Sequence, residues 1–353
     1  MRKLIAPAIA LLTITIAAAA PAPAPVVLRQ SLWVRTATMH EDDWVPSIAF
    51  LLKGDLPVGS ELAAEYTKPD GALWGRVALR AGSPDGRGVR SVGQTMLDPD
   101  LSIKDGGVFK VAIELSGEGG KGKQTLFTGQ FRVEKLPPPN AYKKPAFAVD
   151  HDWVLPVAQL YFDPQRSDNP SLFVTAWFKR HDVSCQDVDA TLVYGGKVLA
   201  STETSDQGDK AMAESLRSTD DRDDRRYVQC RFELTKIKGY VNGQYQDQAS
   251  WHELSKFPGE YELKIARQRK LDRTLKFSVD KSGMLVRSGA VEHGYRGLRM
   301  LVPTNILGDG DGEWRREAFA KEAFYGNPEG SKAAEATVLD LYADWAKRPT
   351  KKN

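Results

Sequence analysis

The residues with the strongest claim to chemistry lie in Tyr240-Val241-Asn242-Gly243-Gln244-Tyr245-Gln246-Asp247-Gln248, with Trp251 just beyond. Asn-Gly is a strong turn dipeptide for a tight hairpin. The rings around it offer flat apolar faces, and the amides offer fixed donors and acceptors. Glycan and peptide sites are built from that combination. Tyr240, Asn242, Tyr245, Gln246 and Trp251 are therefore the candidate ligand-binding residues. The chemistry they offer is recognition, with no bond made or broken. A solvated hairpin tip has the same composition and is the plainer reading of this string.

Other strings that suggest chemistry fail on context. Gly117-Glu118-Gly119-Gly120-Lys121-Gly122-Lys123-Gln124 matches a phosphate-binding glycine pattern by position. That pattern works only where the loop opens a helix whose amides face the anion. Thr125 to Phe131 reads as a strand instead, so the string is a hairpin connection. Gly308 to Glu313 resembles the start of a calcium loop, but Trp314 and Ala320 stand where glycine and glutamate belong. It reads as an acidic cap on a following helix. The histidines at 40, 151, 181, 252 and 293 form no metal-binding spacing. His40 and His151 both precede an Asp-Trp pair and read as structural. No nucleophile elbow is present. No catalytic residue, metal site or cofactor is assigned, and the chain is read as a non-enzyme. The alternative is a secreted hydrolase with carboxylates between its domains.

The basic residues Lys264, Arg267, Arg269, Lys270, Arg273 and Lys276 cover one hairpin. Charge on an edge protects against sheet-to-sheet aggregation; contact with an acidic polymer of the envelope is the sharper reading. Overall the formal net charge is +3, and loss of a leader carrying Arg2 and Lys3 brings it close to neutral. Nucleic acid demands concentrated positive charge, so no nucleic-acid partner is expected.

That leader sets the compartment. Arg2 and Lys3 precede an apolar core from Leu4 to Ile16, and Ala17 to Ala20 offer small-residue cleavage sites. Residues 1–20 read as a secretory signal peptide, which is too short to span a membrane. No later run is long and apolar enough, so no membrane span is expected after cleavage. The product is secreted or periplasmic. In an oxidising compartment Cys185 and Cys230 are expected to pair as a disulfide, the alternative being two reduced, buried thiols.

The elements that would position these residues are strands. Short alternating segments are separated by Pro-Asp-Gly and related turns, as at Pro69-Asp70-Gly71 and Ser83-Pro84-Asp85-Gly86. Two stretches read as copies of one module. Each begins with Asp-Trp-Val, at Asp43-Trp44-Val45 and Asp152-Trp153-Val154. Each closes on a hairpin, Gly107–Ile113 with Gln130–Val133 and Gly259–Ile265 with Lys276–Val279. Between them stand Pro137-Pro138-Pro139-Asn140, a stiff linker that cannot donate to a sheet. The expectation is all-β: two tandem immunoglobulin-like β-sandwiches with a small helical C-terminal extension. Residues 21–136 form the first domain, 137–140 the linker and 141–283 the second, with a polar insertion from about Ser201 to Arg226. Residues 284–353 carry two helices, Glu313–Tyr325 and Ser331–Lys347. The second has an apolar stripe of Ala334, Val338, Leu341, Tyr342 and Trp345. Such an architecture names no function. The sequence reading is a non-catalytic binding or structural protein of the cell envelope, with an envelope protein or polysaccharide as its partner.

Overall fold

A computed structural model describes residues 24–39, 43–86, 88–117, 122–138, 141, 144–163, 171–179, 184–202, 212–215, 227–234, 240–241, 244–245, 257–281, 285–286, 291–293, 298–307 and 316–327. The described chain is built almost wholly from antiparallel sheets.

The first unit contains β1 (Val26–Thr38), β2 (Trp44–Lys53), β3 (Glu61–Thr67), β4 (Leu73–Ala81), β5 (Val89–Gln94), β6 (Gly107–Ser116), β7 (Gln124–Leu136) and β8 (Ala146–Val149). They form one sheet in the order β1-β2-β5-β4-β3-β6-β7-β8. Alternation does the work of two faces. In β6, Phe109, Val111 and Ile113 are buried while Val108 is exposed. The inward set joins Val34, Ile48, Phe50, Tyr66, Phe131 and Val133 in a single core. The sheet curls until its outer strands approach, and the Thr36 hydroxyl donates to the Phe147 carbonyl at 2.7 Å. Strand β1 bends to allow this, with a register shift between Leu28 and Trp33. Ser31 fills the break: its hydroxyl donates to the Leu28 carbonyl at 2.5 Å and accepts the Leu51 amide at 2.8 Å.

This unit is one rolled sheet rather than the expected pair of facing sheets. The proline stretch also takes a different place. β7 ends at Leu136, and the chain returns through the prolines as β8, pairing Leu136 with Ala146 and Val133 with Val149. The expected linker at 137–140 thus connects two neighbouring strands of one sheet. Prolines suit that position because a turn asks for no ladder hydrogen bonds.

The second unit contains β9 (Val157–Asp163), β10 (Ser171–Lys179), β11 (Val188–Tyr194), β12 (Lys197–Ser201), β13 (Met212–Ser215), β14 (Tyr227–Glu233), β15 (Tyr240–Val241), β16 (Gln244–Tyr245), β17 (Gly259–Arg267), β18 (Lys270–Val279), β19 (Val291–His293), β20 (Leu298–Pro303) and β21 (Asn305–Ile306). Two sheets, β13-β14-β10-β9-β20-β19 and β12-β11-β17-β18-β21, share a core, while β15 and β16 pair alone. Leu160, Val174, Phe178 and Phe232 come from the first sheet; Leu192, Leu263, Ile265, Leu275 and Phe277 come from the second. This is a sandwich in the layer sense. A disulfide joins Cys185, just before β11, to Cys230 in β14. The pairing expected from the sequence is therefore present.

Two strands from the expected 284–353 extension join sheets with earlier strands: β20 pairs with β9 and β21 with β18. The insertion expected as a bare polar loop contains β13, which pairs with β14 from Met212–Arg231 to Ser215–Val228. Short strands like these are set by the neighbours they meet, a preference that alternation alone does not display. Helix α1 (Arg316–Gly326) overlaps the first expected helix and ends one residue beyond it; the expected Ser331–Lys347 helix lies outside the described residues.

Candidate functional site

The candidate hairpin forms as its Asn-Gly turn implies, with Tyr240 opposite Tyr245 and Val241 opposite Gln244. The side chains of Tyr240 and Tyr245 lie outside the described residues, as do Asn242, Gln246 and Trp251. The glycine-rich string Gly117–Gln124 connects β6 to β7, which pair antiparallel on either side of it. The Gly308–Glu313 string is outside the described residues.

The structure instead gathers its buried polar chemistry where the two units meet. After β8 the chain runs Asp150-His151 into a 3-10 turn, Asp152–Val154. The Asp152 amide donates to Asp150 Oδ1 at 2.8 Å, which fixes the turn entry. Tyr227, at the start of β14, reaches in from the second unit. Its hydroxyl donates to Asp152 Oδ1 at 2.5 Å and accepts the His151 amide at 3.0 Å. Lys179 at the end of β10 places its Nζ 3.6 Å from Asp152 Oδ2. His151 points the other way, into the first unit. Its ring stacks on Trp33 of β1, with centroids 4.0 Å apart and planes 12° from parallel. Its Nε2 lies 3.2 Å from the Tyr325 hydroxyl.

Tyr325 belongs to the end of α1. The helix loses helical geometry at Ala323, and Phe324 (φ 52°) and Tyr325 (φ 60°) take left-handed backbone before Gly326 (φ 81°). Such a conformation costs a non-glycine residue roughly 1–3 kcal/mol. Burial of two large aromatic side chains, worth about 2–3 kcal/mol each, offsets it. Tyr325 enters the core of the first unit, and its hydroxyl accepts the Val34 amide at 2.8 Å. Phe324 packs on Trp153 at 5.1 Å, within a cluster that includes Val154, Leu155, Trp177 and Leu301. Asn327 then ties the end down. Its amide nitrogen donates to the Thr128 carbonyl at 2.8 Å, and its carbonyl accepts from Arg29 at 2.8 Å. Gly129 is glycine for want of room: a Cβ there would lie 2.8 Å from the Phe127 ring and 3.0 Å from Tyr325 Cβ.

A second buried polar group supports the turn from behind. Arg273 of β18 is fully buried, and its Nη1 donates to the carbonyls of Leu155 and Trp177 at 2.9 and 3.2 Å. Asp272 Oδ2 accepts from its Nε at 2.6 Å, and Arg267 Nε sits 2.7 Å from the other carboxylate oxygen. The guanidinium also lies over the Phe178 ring at 4.2 Å. Arg273 is thus not part of the basic surface suggested by the sequence, although Arg269 and Lys270 are exposed on that hairpin.

Asp152, His151 and Tyr227 are 8%, 2% and 0% exposed. Their bonds include ones to each other, to Asp150, to Lys179 and to Tyr325. Among the described residues the turn carries the carboxylates of Asp150 and Asp152, and both are engaged by Tyr227 or by backbone. Among the described residues no group of three or more histidine, cysteine or acidic side chains is arranged to hold a metal ion. Nor is any helix among them long and apolar enough to cross a membrane.

The sequence reading gave His151 a structural role and Trp153 a place in the repeated Asp-Trp-Val string, and assigned no site role to Trp33, Tyr227, Phe324, Tyr325 or Asn327. They are separated by up to roughly three hundred positions, so no local spacing connects them. The two Asp-Trp pairs, expected in equivalent places, differ: Trp44 opens β2 inside the first core, whereas Trp153 sits in the junction turn. Compared with known proteins, the chain matches no family and no curated relative.

Proposed function

We propose that this chain is an exported, non-catalytic binding protein of the cell envelope, secreted or periplasmic once residues 1–20 are removed. Its second unit is read as an immunoglobulin-like sandwich that presents the Tyr240–Trp251 hairpin to an envelope protein or polysaccharide. The observation that carries the reading is the use made of the buried polar residues. Asp152, Tyr227, Lys179 and His151 are bonded to one another or to Tyr325 between the two units. A protein that holds its β units together with its carboxylates and tyrosines is equipped to present a surface, and binding sites are commonly loops on a rigid scaffold. The Cys185–Cys230 disulfide supports an oxidising compartment. The hydrolase alternative would need a carboxylate open to substrate between the units, and Asp152 there is buried.

The test has two arms. Cell fractionation of the full chain should place the mature protein outside the cytoplasm, without its first residues. The purified protein should then co-sediment with insoluble envelope polysaccharide or capture a defined envelope protein. A Tyr245→Ala/Trp251→Ala double variant should bind at least tenfold more weakly, since aromatic anchors dominate binding energy. Equal binding by the variant would remove the hairpin as the site. A cytoplasmic location would remove the proposal entirely.

A further inference from the structure

We propose that Ala323–Asn327 is a clasp: a strap that holds the two β units in one orientation and whose release lets them move as separate bodies. Four observations meet here. The chain passes from the first unit to the second through the short turn Asp150–Leu155, which Tyr227 and Arg273 tie to the second unit. The strap grips the first unit as well as this turn, with Tyr325 in the core of the first unit and Phe324 in the cluster around Trp153. It belongs to no sheet; its hold includes the buried Ala323 and two rings, the Arg29 guanidinium over Phe324, and hydrogen bonds with Arg29, Val34, Thr128 and His151. Its backbone is left-handed at Phe324 and Tyr325, a conformation that free chain avoids and that persists only while the cleft grips the rings. Switch regions and ligand clamps are among the places where such strained backbone clusters. A strap that loses its rings relaxes to ordinary backbone and has no reason to return to the cleft. The adjoining junction bonds, His151 to Tyr325 and Tyr227 to Asp152, lie on opposite sides of the turn. Opening the clasp therefore breaks the first and leaves the second to keep the second unit intact.

The experiment uses the full chain with cysteines introduced at exposed Met96 and Lys197, one in each unit, and spin labels attached. The parent protein should give one narrow distance distribution. Phe324→Ala should broaden it into several separations while the β signature in circular dichroism stays. Tyr325→Phe keeps the ring and removes the hydroxyl that Val34 and His151 use. It should speed cleavage within 150–155 by added protease about tenfold. Should Phe324→Ala fail to fold, Tyr325→Phe decides by the same two readouts. A narrow, unshifted distribution in a folded variant, with cleavage at the parent rate, overturns the clasp.

Discussion

Tyr227 is the residue on which both sides of the Asp150–Asp152 turn depend. Its one hydroxyl serves a carboxylate and a backbone amide in a place closed to water. Tyr227→Phe removes that oxygen without changing the packing. It leaves the His151 amide and one Asp152 oxygen without their partner, and buried polar groups in that state cost about 1–3 kcal/mol. The expected outcome is a loss of stability in that range, read as a shift in the denaturant midpoint at unchanged slope. Lys179→Met takes the positive charge from beside Asp152, both side chains being at most 14% exposed, and should cost more than loss of a surface ion pair would. A Tyr227→Phe protein as stable as its parent would mean that the turn is held by its apolar contacts alone. Arg273 poses the reverse problem. Replacing it with methionine keeps the aliphatic stem over Phe178 but strips donors from the carbonyls of Leu155 and Trp177. Asp272 keeps Arg267, so the cost should fall short of the roughly 3–5 kcal/mol seen when a buried charge loses its last partner. Thermal denaturation of Arg273→Met beside Arg267→Met would rank the two, with Arg273 the more costly.

Among the elements, the closing hairpins reward close comparison. In β6–β7, Gly107 faces Val133 and Phe109 faces Phe131; in β17–β18, Gly259 faces Val279 and Tyr261 faces Phe277. The aromatic pairs stack in both, with centroids 5.7 and 5.3 Å apart. This register was legible because alternation and a leading glycine are local signals. β8, β20 and β21 were not legible. They are short, and each exists because a neighbouring strand offers it an edge, a fact carried by the fold rather than by the segment. The junction was hidden for the same reason at longer range: Trp33, His151, Tyr227 and Tyr325 acquire a common role only once β1, β14 and α1 converge. The meeting of α1 with β7 yields its own prediction. Gly129→Ala leaves strand geometry acceptable but drives a methyl into the Phe127 ring and Tyr325. Overpacking of this kind costs about 1–3 kcal/mol. A midpoint shift smaller than about 0.5 kcal/mol would show that Tyr325 gives way without resistance. In that case the clasp grips less firmly than its packing implies.

At the scale of the whole molecule the question is how far the units share one folding transition. The first unit has its own core and no cysteine, whereas the second is stapled by Cys185–Cys230 across 45 positions. Closing a loop of that length restricts the unfolded chain by about 4 kcal/mol in the chain-entropy treatment. Removing the bond with Cys185→Ser/Cys230→Ser therefore weakens the second unit by up to that amount and reaches the first only through the junction. Coupling through the junction adds the burial of Phe324 and the bonds of Tyr325, which a melted second unit would forfeit. The parent protein should accordingly melt in one step or in two closely spaced ones. In the double variant the second unit should melt first, and the first unit should follow at a temperature slightly below its parent value. Differential scanning calorimetry resolves the steps. Near-ultraviolet dichroism assigns them, since the stacked Phe109–Phe131 and Tyr261–Phe277 pairs report on one unit each. A single transition displaced downward as a whole would mean that the junction binds the units into one cooperative block. The two cores would then be one folding unit despite their separate sheets, and the clasp could open only by unfolding the protein.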